Sequence, residues 1–197
     1  MLIPVKRFTA AKERLSSLLD VDQRADLARW LAARVVAAAR SLPTFVACDD
    51  NDVAAWADGV GADVLWSPGL GLNGAVDSGR STIAGKGFDH VVIAHSDLPL
   101  AHDLGAVAVA GAVTLVPDRH RDGTNVLALP TAADVPASFG GGSFRRHLDL
   151  AMAAGLPVHV LGDTRLALDI DNPDDVAHPL FTPHLPPWLQ TILDSRR

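Results

Sequence analysis

The sequence predicts an α/β domain built on a mostly parallel, mixed sheet with helices on both faces. Three observations predict it. Short runs rich in β-formers alternate with helical patterns along the chain, the order that strand–helix–strand units produce. The segment HVVIAHSD, His90–Asp97, is nearly all apolar through VVIA, as befits a central strand covered on both sides. The stretch from Asp22 to Leu42 places Leu27, Leu31, Val35, Ala38 and Leu42 at steps of three or four, which gives a helix with one buried stripe.

The elements follow in order. Leu2–Val5 is the first strand. PVKRFTAAKERL comes next, and a helix beginning at Thr9 puts Lys12 and Arg14 in its first turns. On the long helix, Arg24, Arg29, Arg34 and Arg40 fall largely off the apolar stripe. Strands Thr44–Cys48 and Asp63–Trp66 lead into glycine-rich GLGLNG, Gly69–Gly74, and the helix-like AVDSGRSTIAG. Pro99 stops the strand that Asp97 closes, and Val113–Pro117 and Asn125–Leu129 follow as strands. Gly140–Ser143 reads as a loop running into a helix, with Ser143 near its cap. Val158–Leu161 and Leu166–Asp171 are the last strands. Neither a repeat nor a low-complexity linker interrupts this pattern, so residues 1–181 read as one domain and 182–197 as a proline-rich peripheral strap ending in a short helix.

Composition narrows the function. The 197 residues suffice for one sizeable core. The net charge of -6 argues against a nucleic-acid-coating surface. No apolar run reaches the roughly 18 residues that span a bilayer. MLIPVKRF has no long apolar stretch after its basic residues, so the chain is expected in the cytoplasm. Cys48 is alone, which excludes an intrachain disulfide and a cysteine-clustered zinc site.

GLGLNG has the G-x-G-x-x-G spacing of a dinucleotide-binding turn, and Asp97 follows at about the distance of its ribose-binding acid. Three features set that reading aside. The glycines follow the third strand instead of the first, Pro68 forces an extended turn, and Leu-Pro-Leu after Asp97 does not suit a ribose contact. A turn that merely needs glycine, or a loop that approaches a base, remains.

Three groups of residues carry chemistry. Asp97 ends a strand, and Asp169 and Asp171 in LALDID share one face if that segment is a strand. Carboxylates at the carboxyl ends of parallel strands converge on a hard cation, Mg²⁺ for phosphate substrates. The alternative is a capping role for Asp171 before Asn172-Pro173 and a surface place for Asp169. Lys6, Arg7, Lys12 and Arg14 make either a triphosphate clamp or a solvated basic face. Gly123-Thr124-Asn125 enters a strand, and the Gly140–Ser143 loop offers N–H groups and a hydroxyl to an anion. His95, His120 and His147 read as structural or surface residues. The G-x-S-x-G, H-E-x-x-H and G-x-x-x-x-G-K-[ST] patterns are absent.

The ordered set IPVKRFTAAKERL, GLNGAV, HSDLPL, PDRHRDGTNVLALP, FGGGSFRRH and LDIDNPDD closely resembles the 2-phospho-L-lactate/phosphoenolpyruvate guanylyltransferases of coenzyme F-420 biosynthesis. The likeness runs from about residue 2 to about residue 178. It implies a single nucleotidyltransferase domain, a Rossmann-like three-layer sandwich of the GT-A type. It also implies transfer of GMP from GTP to phosphoenolpyruvate or 2-phospho-L-lactate with loss of pyrophosphate. The chain departs from more distant nucleotidyltransferases in having PVKRF where they carry a glycine-rich loop. By resemblance Thr124, Gly140 and Ser143 bind the acid, and Asp97, Asp169 and Asp171 bind Mg²⁺. Gly71 and Asn73 lie against guanine, and Lys6, Lys12 and Arg14 handle the phosphates. GTP and the acid are the partners, with a downstream transferase of the same route as a further one, and neither nucleic acid nor membrane. The rival readings are another nucleotidyltransferase, acting on a molybdenum-cofactor or sugar-phosphate acceptor, and an inactive nucleotide-binding regulator.

Overall fold

The computed structural model describes residues 1–39 and 42–196. Among them, seven strands form one sheet in the order β3-β2-β1-β4-β6-β5-β7. They are β1 (Leu2–Pro4), β2 (Phe45–Cys48), β3 (Asp63–Trp66), β4 (His90–Ala94), β5 (Val113–Pro117), β6 (Thr124–Pro130) and β7 (Val158–Val160). The pairs β1–β2, β2–β3, β1–β4 and β5–β7 are parallel, while β6 runs antiparallel to both β4 and β5. The mixed, mostly parallel sheet expected from the alternation is therefore present.

Side chains alternate between the two faces, as the strand period requires. Ile3, Val46, Val92, Ala94 and Val126 join one core with Ala28, Ala32 and Val35 of helix α1 (Val21–Ala38). Leu2, Phe45, Ile93 and Leu127 face the other way, against α3 (Gly71–Gly85) and α4 (Ser143–Ala153). Helix α2 (Asn51–Gly59) connects β2 to β3, and the four-residue α5 (Pro173–Val176) precedes the tail.

Helix α1 starts where its chemistry says it must. Asp20 accepts the Gln23 N–H while the Gln23 side chain accepts from Asp20 N–H, the reciprocal box that satisfies two orphan donors. Leu27 and Leu31 of its expected stripe are fully buried, but against a third core. That core contains Leu15, Leu19, Phe181 and Leu189, the last from α6 (Pro187–Asp194). Thus α1 is covered by the sheet on one side and by residues of the tail on the other. Arg40, at the far end of the expected helix, lies outside the described residues.

Two expected elements are absent from the described residues. No helix begins at Thr9. Phe8–Ala10 and Glu13–Leu15 are single 3₁₀ turns, and Lys12 between them has φ 57°. A left-handed lysine costs about 1–2 kcal/mol and breaks any continuous helix. Leu166–Asp171 is not a strand. Asp163 Oδ1 accepts the N–H groups of Arg165 and Leu166, and Ala167 N–H returns to the Asp163 carbonyl. This aspartate-built turn replaces a ladder.

Candidate active site

The chain leaves β1 toward β2 on one side, and its other sheet neighbour is β4. The crevice between β1 and β4 is a topological switch point, where open α/β sheets take their ligands. Lys6 and Lys12 follow β1, and Asp97 follows β4. A cavity of about 580 Å³ opens there, lined among others by Lys6, Lys12, Arg14, Asp97 and Asp171.

Lys12 is the centre of this charge cluster. Its Nζ lies 2.6 Å from Asp97 Oδ2 and 3.2 Å from Asp171 Oδ1, and its side chain is 7% exposed. Burial alone would lower the Lys12 pKa, but Asp97 and Asp171 overcome it and raise it. Burial likewise pushes Asp97 up, and Lys12, with His95, holds it below the usual carboxylate value. Ammonium and carboxylate are both kept charged. The left-handed turn at Lys12 delivers the ammonium into this position. Arg14, 76% exposed, reaches Asp171 Oδ2 at 3.3 Å. Lys6 lines the same cavity and is exposed.

The three aspartates are not arranged as an equal trio. Among the described residues, no group of three or more His, Cys, Asp or Glu is placed to hold a metal ion. The expected shared strand face does not exist, because residues 164–167 turn. Ile170 N–H donates to the Asp97 carbonyl, and Asp171 and Asn172 N–H groups donate to Asp175 Oδ2. Asp171 is held by Lys12 and Arg14. Asp97 meets Lys12 through Oδ2 only, and Asp169 pairs with no cation among the described residues. Asp97 Oδ1 is buried with no partner among the described residues, and burial followed by the charge of Asp97 raises Asp169 to about 6. An orphaned carboxylate oxygen beside a second, destabilised carboxylate fits a hard divalent cation, which commonly takes one or two protein carboxylates and completes its shell with phosphate and water.

The other expected ligand residues sit across the sheet, at the start of β6 and of α4. Thr124 and Ser143 are buried, at 2% and 1% exposure. Ser143 makes no cap bond; the cap position is Gly142, at φ 71°. Gly140 is exposed at φ 117°. A web of side chains fixes this loop. Asp118 accepts from the N–H groups of Asp122 and Gly123, and Asp122 accepts from Gly142. Arg146 donates to the carbonyls of Ser138 and Gly141 and to Ser138 Oγ.

His147 is completely buried under Thr124. Its Nε2 accepts the Ser138 N–H at 3.0 Å, so that nitrogen carries a lone pair. Burial, then the charges of Arg146 and His95, lowers its pKa to about 4, so the ring is neutral near pH 7. The network therefore assigns the proton to Nδ1, which donates to Thr124 Oγ1 at 3.0 Å. Thr124 keeps its own O–H to give elsewhere. Phe139 packs edge-on against both His147 and His95.

The expected base contact divides. Gly71 lines the cavity with φ 64°. Asn73 does not face it: its amide donates to the Phe139 carbonyl at 3.3 Å and accepts the Phe139 N–H at 2.7 Å. Both ends of the amide tie the first turn of α3 to the glycine loop. Sequence reasoning missed the scaffolding roles of Asp118, Asp122 and His147. It also missed Arg119, which holds the nearly buried Asp175 at 2.5 Å. The one legible signal was the D-x-x-x-D-G spacing, since a carboxylate before a glycine turn commonly caps it.

Comparison with known proteins agrees with this geometry. The family described as "Guanylyl transferase CofC like" matches residues 1–182. A phosphoenolpyruvate guanylyltransferase of Sphaerobacter thermophilus is 36% identical over 184 residues, covering 89% of each chain. A 2-phospho-L-lactate guanylyltransferase of Methanothermobacter thermautotrophicus is 34% identical over 185 residues, covering 89% of this chain and 81% of the relative. The fold is shared with a solved nucleotidyl transferase of Methanothermobacter, at TM-score 0.60 and 13% identity over 99% of both chains. It is shared also with a nucleotide-diphospho-sugar transferase structure from Desulfovibrio desulfuricans, at TM-score 0.73 and 17% identity over 99% of this chain and 93% of that one.

Proposed function

The chain belongs to the CofC-like guanylyl transferase family, and from that premise we propose that it transfers GMP from GTP to the phosphate of phosphoenolpyruvate. A phosphate oxygen of the acid attacks the α-phosphorus of GTP. The bond from that phosphorus to the bridging oxygen breaks, and its electron pair leaves with pyrophosphate. The product is enolpyruvyl-diphosphoguanosine, an intermediate for coenzyme F-420 that a downstream transferase consumes in the cytoplasm. No helix of the described residues is long and apolar enough to cross a membrane.

The observation that carries this reading is the buried ammonium of Lys12 beside Asp97 and Asp171, in a cavity at the switch point. The nucleophile is already an anion, so the protein needs no general base. Its work is positioning and charge stabilisation. Lys6, Lys12 and Arg14 stabilise charge that grows on the departing pyrophosphate. Thr124, through its free O–H, and the N–H groups of Gly140 and Gly141 orient the acid, those of Gly142 and Ser143 being given to Asp122 and to the Gly140 carbonyl. Asp97 and Asp169 would hold Mg²⁺, which when bound would neutralise phosphate charge. Asp171 keeps Lys12 and Arg14 beside that position.

Purified protein with GTP and Mg²⁺, given each acid in turn, tests the proposal. Pyrophosphate release with phosphoenolpyruvate, faster than with 2-phospho-L-lactate or a sugar phosphate, is the expected result. A preference for 2-phospho-L-lactate would move the acceptor, and release with neither acid would reject the reading.

A further inference from the structure

The cavity has two chemically distinct ends. Cations occupy one. The other lies at the carboxyl ends of β2 and β3 and the first turn of α3, and its lining includes Cys48, Asp49, Ser67, Leu72 and Ala75. Leu72 and Ala75 present apolar surface to a flat ring. Cys48 and Ser67 are buried, and the Ser67 hydroxyl donates to the Leu65 carbonyl. Asn73, expected to meet the base, is engaged with Phe139.

Asp49 stands out against its neighbour. Asp50 accepts the N–H groups of Asp52 and Val53 at the start of α2 and pairs with Arg7 at 2.8 Å. The Asp49 side chain is exposed on the cavity wall and has no hydrogen-bond or ion-pair partner among the described residues. From this contrast we infer that Asp49 selects guanine, its two carboxylate oxygens accepting the N1–H and the N2 amino group of the base. The inference deepens the guanylyl transfer proposed above and rests on it for the orientation of the nucleotide.

The chemistry of the base edge makes this discriminating. Guanine presents two adjacent donors, and a carboxylate presents two acceptors and no donor. Adenine and cytosine present a ring-nitrogen acceptor at that edge, which a carboxylate repels. Uracil has one N–H between two carbonyl acceptors. Selection therefore comes from repulsion of the wrong base as well as attraction of the right one.

Equilibrium binding and turnover of GTP, ITP and XTP by the wild-type protein and by Asp49→Asn test it. Asparagine keeps one acceptor for N1–H and offers a donor that matches the 2-carbonyl of xanthine. The variant should lose GTP by roughly 30-fold or more, on the scale of one truncated charged hydrogen-bond pair, and should bind XTP better than GTP. Wild type should bind ITP, which lacks the 2-amino group, at least ~10-fold more weakly than GTP. The Michaelis constant for phosphoenolpyruvate should stay the same. An unchanged GTP-to-XTP ratio in Asp49→Asn, or a variant that binds no nucleotide at all, overturns the inference. Calorimetric binding reads the preference without any acid present. Failure of the acid to react would thus strike the proposed function while leaving this result standing.

Discussion

The two sides of the site solve opposite problems. On the GTP side, polar groups are left available: Lys6 and Asp49 line an open cavity, and Asp97 Oδ1 is buried without a partner. On the acid side nearly every polar group is already engaged. Asp118, Asp122, Arg146 and His147 each hold backbone or hydroxyl groups of the two loops. The difference matches the ligands. In the proposed reaction a triphosphate would bring several charges to the exposed Lys6 and Arg14, the buried Lys12 and a spare carboxylate oxygen. A small acid brings a few acceptors, so its donors must be fixed in advance.

Removing Asp97 tests the open side most severely. Asp97→Asn should lower turnover by ~100- to 1000-fold, roughly 3–4 kcal/mol, with cooperative thermal unfolding retained. Turnover near the wild-type rate would show that the spare oxygen has no catalytic part.

The pH dependence of stability sets the two sides against each other. His147, lowered from 6.5 to about 4, binds fewer protons folded than unfolded, so it loses stability as pH falls through that range. Asp169, raised from 3.8 to about 6, binds more protons folded, so it loses stability as pH rises through its own range. Between about pH 4 and 6 the two slopes oppose. Asp169→Asn should uncover the histidine slope, a loss of up to about 3 kcal/mol from pH 6.5 down to 4. His90 and His95, also lowered by burial, add to that slope, so denaturant melts of Asp169→Asn are compared with those of Asp169→Asn/His147→Gln, and identical slopes would refute the burial argument for His147.

A smaller effect probes the locked side alone. In His147→Gln the side-chain oxygen can still accept from Ser138, but the donor to Thr124 is lost. The Michaelis constant for phosphoenolpyruvate should rise ~10-fold, the value of about one hydrogen bond, while that for GTP holds. Equal changes in both would mean the histidine supports the whole fold and not the acid loop. The smallest effect on stability is at Arg14. Its pair with Asp171 is exposed, so Arg14→Ala should shift the unfolding free energy by well under 1 kcal/mol. GTP use should nevertheless fall several-fold, and unchanged kinetics would remove Arg14 from the clamp.

Legibility followed the range of the interactions. The strands and α1 could be read because their alternation and stripe are local. The N-terminal helix was misread because the apolar pattern of TAAKERL is helical, whereas Lys12 is drawn out of it by carboxylates 85 and 159 residues away. LALDID reads as a strand by composition, but Asp163 captures its first N–H groups and Asp97 another. Asn73 was expected to face the base and instead ties its loop to Phe139, which nothing near it in sequence announces.

The sequence by itself determined the alternating fold and the inventory of charged, glycine and hydroxyl groups. Periodicity and turn chemistry are properties of neighbouring residues. Only the tertiary structure decided that Lys12 lies between Asp97 and Asp171, that Asp97 keeps one oxygen unpartnered while Asp169 pairs with no cation among the described residues, and that Asp49 stays free. Those outcomes depend on which strand ends the sheet order brings together, and on how Coulomb attraction and burial then divide the carboxylates between partners.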